Sequence, residues 1–198
     1  NFIINLKANK EEVFSRISKS KQKKIKRCIR EGVEVSVIKN LSNISDFYNC
    51  LKKNFIYSGW GFPNIDLFEN VYNYLVPKKM AIFHLAKYKN KIIAGRVSLL
   101  YKKKIYAWYI GMDYEYSNLG VNTYLNWKLM EWGIDNDYTE FDFGGAGRPD
   151  EDFGIRKYKS EFGGSLVKYG RFTRVNNNFT ENLSKIGYKT YHKILKDK

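Results

Sequence analysis

Between residues 10 and 31 the apolar positions Val13, Phe14, Ile17, Ile25, Cys28 and Ile29 recur near helical spacing, and Gly32 stands where such an element would end. The pattern predicts an amphipathic helix or a helix pair. Residues 33–38 set Val33, Val35 and Val37 against Glu34, Ser36 and Ile38, the period of a half-buried strand. Helical spacing returns over 41–55 and 64–75, and the glycines and proline of 57–63 forbid one continuous helix there. That aromatic loop, with Trp60 at its centre, either lines a substrate pocket or caps the core. Three strands are expected next, at 80–88, 91–101 and 104–112, joined by short Lys/Asn turns into an antiparallel meander. In the middle one Arg96 and Ser98 share a face with Ala94 and Leu100, so a cation falls inside an apolar element; it reads either as a buried ion pair or as a contact to an anion or acceptor.

A helix over 118–134, a strand at 139–143, a glycine break at 144–147, a short helix at 154–162, a strand at 166–175 and a basic amphipathic helix over 179–196 complete the pattern. Helices interleaved with antiparallel strands give an α+β (α/β) fold, a mixed and mostly antiparallel sheet flanked by helices. No repeat or linker divides the chain. It reads as a single domain over 1–198, with a basic helical segment at 1–31, a core at 33–175 and a terminal helix at 176–198.

Composition changes this picture in one respect. Hydrophobic residues make up 43% of the 198 and aromatic ones 17%, which suits a packed core, but the formal net charge is +15. A surface that basic attracts phosphates, nucleic acid or anionic membrane, although an A/T-rich genome that writes Lys readily produces the same excess. The basic side of the first helix carries Arg16, Lys19, Lys21, Lys23, Lys24, Lys26, Arg27 and Arg30. Lys23, Lys26, Arg27 and Arg30 are the candidates for phosphate or RNA contact, against the plainer reading of a solvated face.

Cys28, Cys50, His84 and His192 have no spacing that signals a metal centre or a Cys-His nucleophile, and no tightly bound cofactor is expected. Neither a membrane span nor an apolar leader is apparent, so the expected location is cytoplasmic. A chain opening on Asn1 suggests a trimmed or partial product.

Several blocks together resemble the Fem family of aminoacyltransferases that act on peptidoglycan precursors, and GNAT-fold N-acyltransferases more widely. They are Ala94-Gly95, the strand running from Tyr106 to Asp113, the helix with Leu125-Asn-Trp127 and Trp132-Gly133, Phe141-Asp-Phe-Gly-Gly145, and Gly154-Ile-Arg-Lys-Tyr-Lys159 with Phe162-Gly-Gly164. The basic opening helix closing on Gly32-Val-Glu-Val35 looks like the start of the second GNAT-like domain of those proteins. The resemblance implies a sheet that splays open at its middle, with the acyl donor in the gap. It also implies transfer of an aminoacyl or acyl group from aminoacyl-tRNA, or from acyl-CoA in related enzymes, to an amine on a nucleotide- or lipid-linked cell-wall or surface-glycan precursor.

Tyr158-Lys159 matches the family's aromatic-Lys pair, implicated in placing the donor and stabilising the reacting centre. An ammonium at that point lowers the barrier to an oxyanion, whereas a surface lysine on a short helix would do nothing. Asp142 either assists proton transfer or caps the loop behind it. Arg156, Arg96, Trp60, Gly144 and Gly154 complete the candidate substrate contacts.

Two departures bear on the chemistry. Ser117-Asn-Leu-Gly-Val-Asn122 lacks the first and last residues of the usual pyrophosphate loop, which counts against coenzyme A. Only the second of the two Fem domains is matched, so the chain is either a fragment, with a preceding GNAT-like domain among its expected partners, or a one-domain relative. Two other classes remain open: an acetyl-CoA-dependent N-acetyltransferase of a sugar or small amine, and an RNA-binding or non-catalytic half-domain.

Overall fold

The fold begins where the hydrophobic pattern is too short to read. Phe2–Asn5 is a strand, β1, that buries Phe2 and Ile4. The computed structural model describes residues 1–56, 62–147, 154–170 and 174–196. After β1 come the helices α1 (Lys10–Ser15) and α2 (Lys19–Arg30), the pair that the spacing allowed. Asn9 starts α1 by accepting from the Glu12 N–H, and Ser18 starts α2 by accepting from the Lys21 N–H, each satisfying a backbone donor that a helix start leaves free. Two positions of this segment depart from expectation: Ile29 is exposed, while Lys21, expected on the basic outer side, is buried.

β2 (Glu34–Val37), α3 (Ile44–Ile56), α4 (Ile65–Leu75), β3 (Ala81–Tyr88), β4 (Lys91–Tyr101) and β5 (Lys104–Met112) follow close to the predicted bounds. α5 (Val121–Asp135), β6 (Glu140–Asp142), α6 (Gly154–Ser160), β7 (Ser165–Leu166) and α7 (Asn178–Lys196) complete the chain. On α7 the apolar positions Phe179, Leu183 and Ile186 are exposed.

All seven strands form one sheet in the order β2-β3-β4-β5-β6-β1-β7, antiparallel throughout except for the parallel pair β5–β6. One face packs on α3 and α4 around Phe47, Phe68 and Phe83; the other packs on α1, α2 and α5 around Ile25, Leu125 and Met130. The insertion of β1 between β6 and β7 also explains the brevity of β7. Of the strand expected over 166–175, residues 171–173 lie outside the described residues, and β1 supplies partners only up to the Val167 N–H, which donates to the Asn1 carbonyl. A strand is no longer than the edge it pairs with.

Candidate functional site

β5 and β6 are hydrogen-bonded over only three residues each, with Lys104, Ile105 and Tyr106 opposite Glu140, Phe141 and Asp142. Beyond that point β6 stays with β1, since the Phe143 N–H donates to Phe2 O and the Phe2 N–H to Gly144 O, while β5 runs on to Met112 beside β4. The sheet therefore opens at Ala107 and Phe143. The gap holds a cavity of about 220 Å³ lined by Arg96, Ala107, Trp108, Ile110, Asn122, Asn126, Phe143, Ile155, Tyr158 and Lys159.

Three elements bring the polar groups there. α6 crosses the gap and sets Lys159 half-buried over the end of β6, where its ammonium donates to Phe143 O at 2.7 Å and Gly145 O at 2.6 Å. Burial, and then the Arg96 charge, pull this ammonium down to about 8 from the ordinary 10.5, with Asp142 pulling weakly the other way. One N–H of the three remains to meet a substrate oxygen.

Tyr158 turns inward. Its hydroxyl accepts from Asn126 Nδ2 at 3.1 Å and lies 3.5 Å from Thr123 Oγ1, and burial raises its pKa. Lys21 reaches the other side of the Tyr158 ring, its Nζ 3.4 Å from the centroid and 3.4 Å from Glu161 Oε2. α2 thus touches the site through the one lysine that the sequence placed on the wrong side. A lysine is buried at such a position when an aromatic face and a carboxylate meet its ammonium together.

Arg96 comes from β4, immediately before the register shift between Val97 and Ser98. Its side chain is 5% exposed, and its Nε and Nη1 have no hydrogen-bond partner. Among the described residues it forms no ion pair, so the buried-pair reading of this position has no structural counterpart. Burial pulls its pKa down to about 10, which leaves it charged at neutral pH. His84, its register partner on β3, is held neutral by burial and by Arg96, at about 4.

The remaining predicted residues are spread more widely. Asp142 uses both carboxylate oxygens locally: Oδ1 accepts the Gly144 N–H at 2.7 Å and Oδ2 accepts Asn1 Nδ2 at 2.8 Å. Gly144 has φ +72°, and a Cβ there would stand 3.1 Å from the Tyr106 hydroxyl, so the turn out of β6 favours glycine. Gly163 has φ +77° and no room for a Cβ beside the Arg16 carbonyl. Gly154 opens α6, where a Cβ would meet no atom of the described residues. Arg156 donates from Nε to Ala146 O at 3.0 Å and lines a second cavity of about 750 Å³, together with Asn1, Gly145, Gly147, Leu166 and Lys168. Residues 143–147 and α6 contribute to both cavities.

Lys23, Lys26, Arg27 and Arg30 are exposed on α2, away from the splay; Arg27 donates to Asn118 O and Arg30 approaches Glu31. Trp60 lies outside the described residues. Asn122, Asn126, Thr123 and Trp108 were not singled out beforehand. Their available signal was polarity at the wrong place: Thr123 and Asn126 lie one turn apart on a helix that is buried almost all round.

At the start of α5, where a pyrophosphate would meet free N–H groups, Gly120 is half-buried and Asn122 faces the cavity of the gap. The Lys24 side chain packs on Gly120, and Cys28 Sγ reaches Leu119 O at 3.1 Å. Both cysteines are buried, with thiols pushed up to about 11, which removes them as nucleophiles. Among the described residues no group of three or more acidic, His or Cys side chains is arranged to hold a metal, and no helix is long and apolar enough to cross a membrane.

Comparison with known proteins supplies the context. A family model described as an acetyltransferase (GNAT) domain matches residues 16–160. Among solved structures, FemX superposes with a TM-score of 0.75 at 15% identity, covering 83% of this chain and 58% of that one. The C-terminal domain of an Agrobacterium fabrum protein assigned as a lysylphosphatidylglycerol synthetase gives 0.59 at 13%, with 83% and 56% covered. An aminoglycoside acetyltransferase from an uncultured soil metagenomic sample, in complex with sisomicin, gives 0.53 at 13%, with 74% and 99% covered. The chain thus spans little more than half the length of the first two. A search of curated proteins returns no match.

Proposed function

The chain belongs to the GNAT acetyltransferase family, an acyltransferase family, and from that premise we propose that it moves an aminoacyl group onto the amine of a nucleotide- or lipid-linked cell-wall precursor, with Lys159 at the reacting centre. The observation that carries this reading is the Lys159 ammonium. It sits half-buried in the splay between β5 and β6, tied to two β6-end carbonyls and adjoining a cavity of the size of a small acyl group.

Attack of an amine on an ester carbonyl forms the new C–N bond and pushes the carbonyl electron pair onto oxygen. The remaining Lys159 N–H meets that oxyanion in a water-poor gap, where its charge counts most. Collapse expels the donor alkoxide, and the amine's surplus proton leaves with it or to solvent. Tyr158, fixed by Asn126 and Lys21, shapes the wall against which the acyl group lies. Asp142 acts here by holding the turn through Gly144.

The choice of aminoacyl-tRNA over coenzyme A rests on the departure of residues 117–122 from the usual pyrophosphate loop and on the exposed cations of α2, which suit a polyanionic donor. A coenzyme A donor is the second reading, favoured by the near-complete coverage of a one-domain acetyltransferase.

The test supplies either Lys-tRNA or Ala-tRNA, or acetyl-CoA, with a nucleotide-linked peptide carrying a free lysine amine, and follows amide formation by mass spectrometry. Transfer from aminoacyl-tRNA, reduced on the order of 10²–10³-fold by Lys159→Ala with the fold retained, is expected. Transfer from acetyl-CoA alone establishes the second reading. Unchanged turnover in Lys159→Ala removes this residue from the mechanism.

A further inference from the structure

A buried cation without a counter-charge is costly, and a native protein that keeps one calls for an explanation, of which a ligand that completes the pair is the most direct. Among the described residues Arg96 is in that position. Every element packed around it offers a neutral or cationic neighbour: His84 on β3, Ile110 on β5, Asn122 and Asn126 on α5, Tyr158 and Lys159 on α6. Its Nε and Nη1 are buried and unpartnered, and its side chain lines the 220 Å³ cavity.

The same cavity has acceptors to spare. Asn122 Oδ1 and Asn126 Oδ1 are buried without partners. The orientation of Asn126 follows from its surroundings, because its Nδ2 donates both to Asn122 O at 2.8 Å and to the Tyr158 hydroxyl; its oxygen is therefore the free end. The rest of the wall is apolar, made by Ala107, Trp108, Ile110, Phe143 and Ile155. A ligand that satisfies all of this has an anionic head for Arg96, an N–H or O–H donor beside it for the asparagine oxygens, and a small apolar body.

We propose that the cavity is a recognition site for a carboxylate with an adjacent N–H or O–H, an amino-acid-like unit of one of the two substrates, held by Arg96 and read by Asn122 and Asn126. As a substrate site it rests on the acyl-transfer reading; as a carboxylate site it stands without it. An inorganic phosphate leaves the apolar wall uncovered and is the poorer fit. The carboxylate enters either on the acyl group of the donor or on the acceptor.

The test is direct binding, so that its outcome is separate from that of any transfer assay. The full chain, labelled with ¹⁵N, is titrated with N-acetylalanine, its neutral analogue N-acetylalaninamide, succinyl-CoA, acetyl-CoA and inorganic phosphate, and the arginine Nε–H resonances are followed. Wild type is expected to show one arginine signal moving with N-acetylalanine and not with the neutral N-acetylalaninamide, nor with acetyl-CoA, whose charge lies on its phosphates alone. Arg96→Met is expected to weaken that binding by on the order of 10- to 100-fold, the usual worth of a charged hydrogen bond. A larger response to N-acetylalanine than to succinyl-CoA, whose carboxylate has no neighbouring N–H or O–H, supports the assignment; a response to succinyl-CoA alone overturns the reading by Asn122 and Asn126.

In the ligand-free protein, Arg96→Met removes an uncompensated buried charge, and Tm is expected to rise by roughly 2–4 °C or more. Equal responses to acid and amide, a response to phosphate only, no response at all, or a lower Tm in Arg96→Met each overturns the assignment. Retained Arg96-dependent binding in a protein that transfers no acyl group sinks the enzymatic reading and leaves the carboxylate site standing.

Discussion

At Lys159 the sequence named the residue and the tertiary structure set its acidity. A Tyr-Lys pair on a seven-residue helix carries no information about burial; the splay of β5 from β6 supplies it, with Arg96 behind as a second cation. An oxyanion contact needs the protonated ammonium, whose pKa is about 8, so the rate is expected to fall as pH rises through that value. Lys159→Arg keeps its charge across the range and should move the basic limb upward past about pH 10. The check is kcat/KM measured from about pH 6.5 to 10 in both proteins. A wild-type profile flat through pH 8, or the same limb in both, removes the Lys159 charge from the step. Arg96 shows the opposite balance of legibility. Alternation placed it on the inner face, but whether an acidic partner met it there depended on strands and helices distant in sequence, and among the described residues none does.

At the scale of elements, α2 and α6 are coupled through the buried Lys21, which contacts the Tyr158 ring and pairs with Glu161. Burial lowers the Lys21 pKa, Glu161 works to restore it, and the two members of the pair are therefore not equivalent. Glu161→Ala strands an ammonium out of water and is expected to cost about 1–3 kcal/mol, discounted because the carboxylate is partly solvated. Lys21→Met keeps the stem packed and removes the stranded charge as well, so its cost should stay within about 1 kcal/mol. Urea unfolding of both variants decides; equal costs would show that the pair does not support the helix contact. Helical periodicity found α2 and the short α6, but it assigned Lys21 to the solvent side, because a lysine at the helix edge looks outward until an aromatic ring from 137 residues further along the chain is placed beside it.

For the whole molecule the decisive feature is β1, four residues that insert between β6 and β7 and carry β6 away from β5. Ile4 is completely buried and faces Phe141 across the pairing. Ile4→Ala is expected to cost about 2–5 kcal/mol in chemical unfolding, and a cost below about 1 kcal/mol would show that β1 is not integral to the sheet. The sequence alone determined the meander of β3 to β5, most helices and the family resemblance, and it named Tyr158-Lys159 as a candidate pair, because those signals are periodic or local and do not depend on distant partners. Tertiary structure decided the rest. β1 was too short to show a period, β7 ended where its partner ended, and the cavity with its unpaired Arg96 arose only because two strands with different neighbours part company at Ala107 and Phe143.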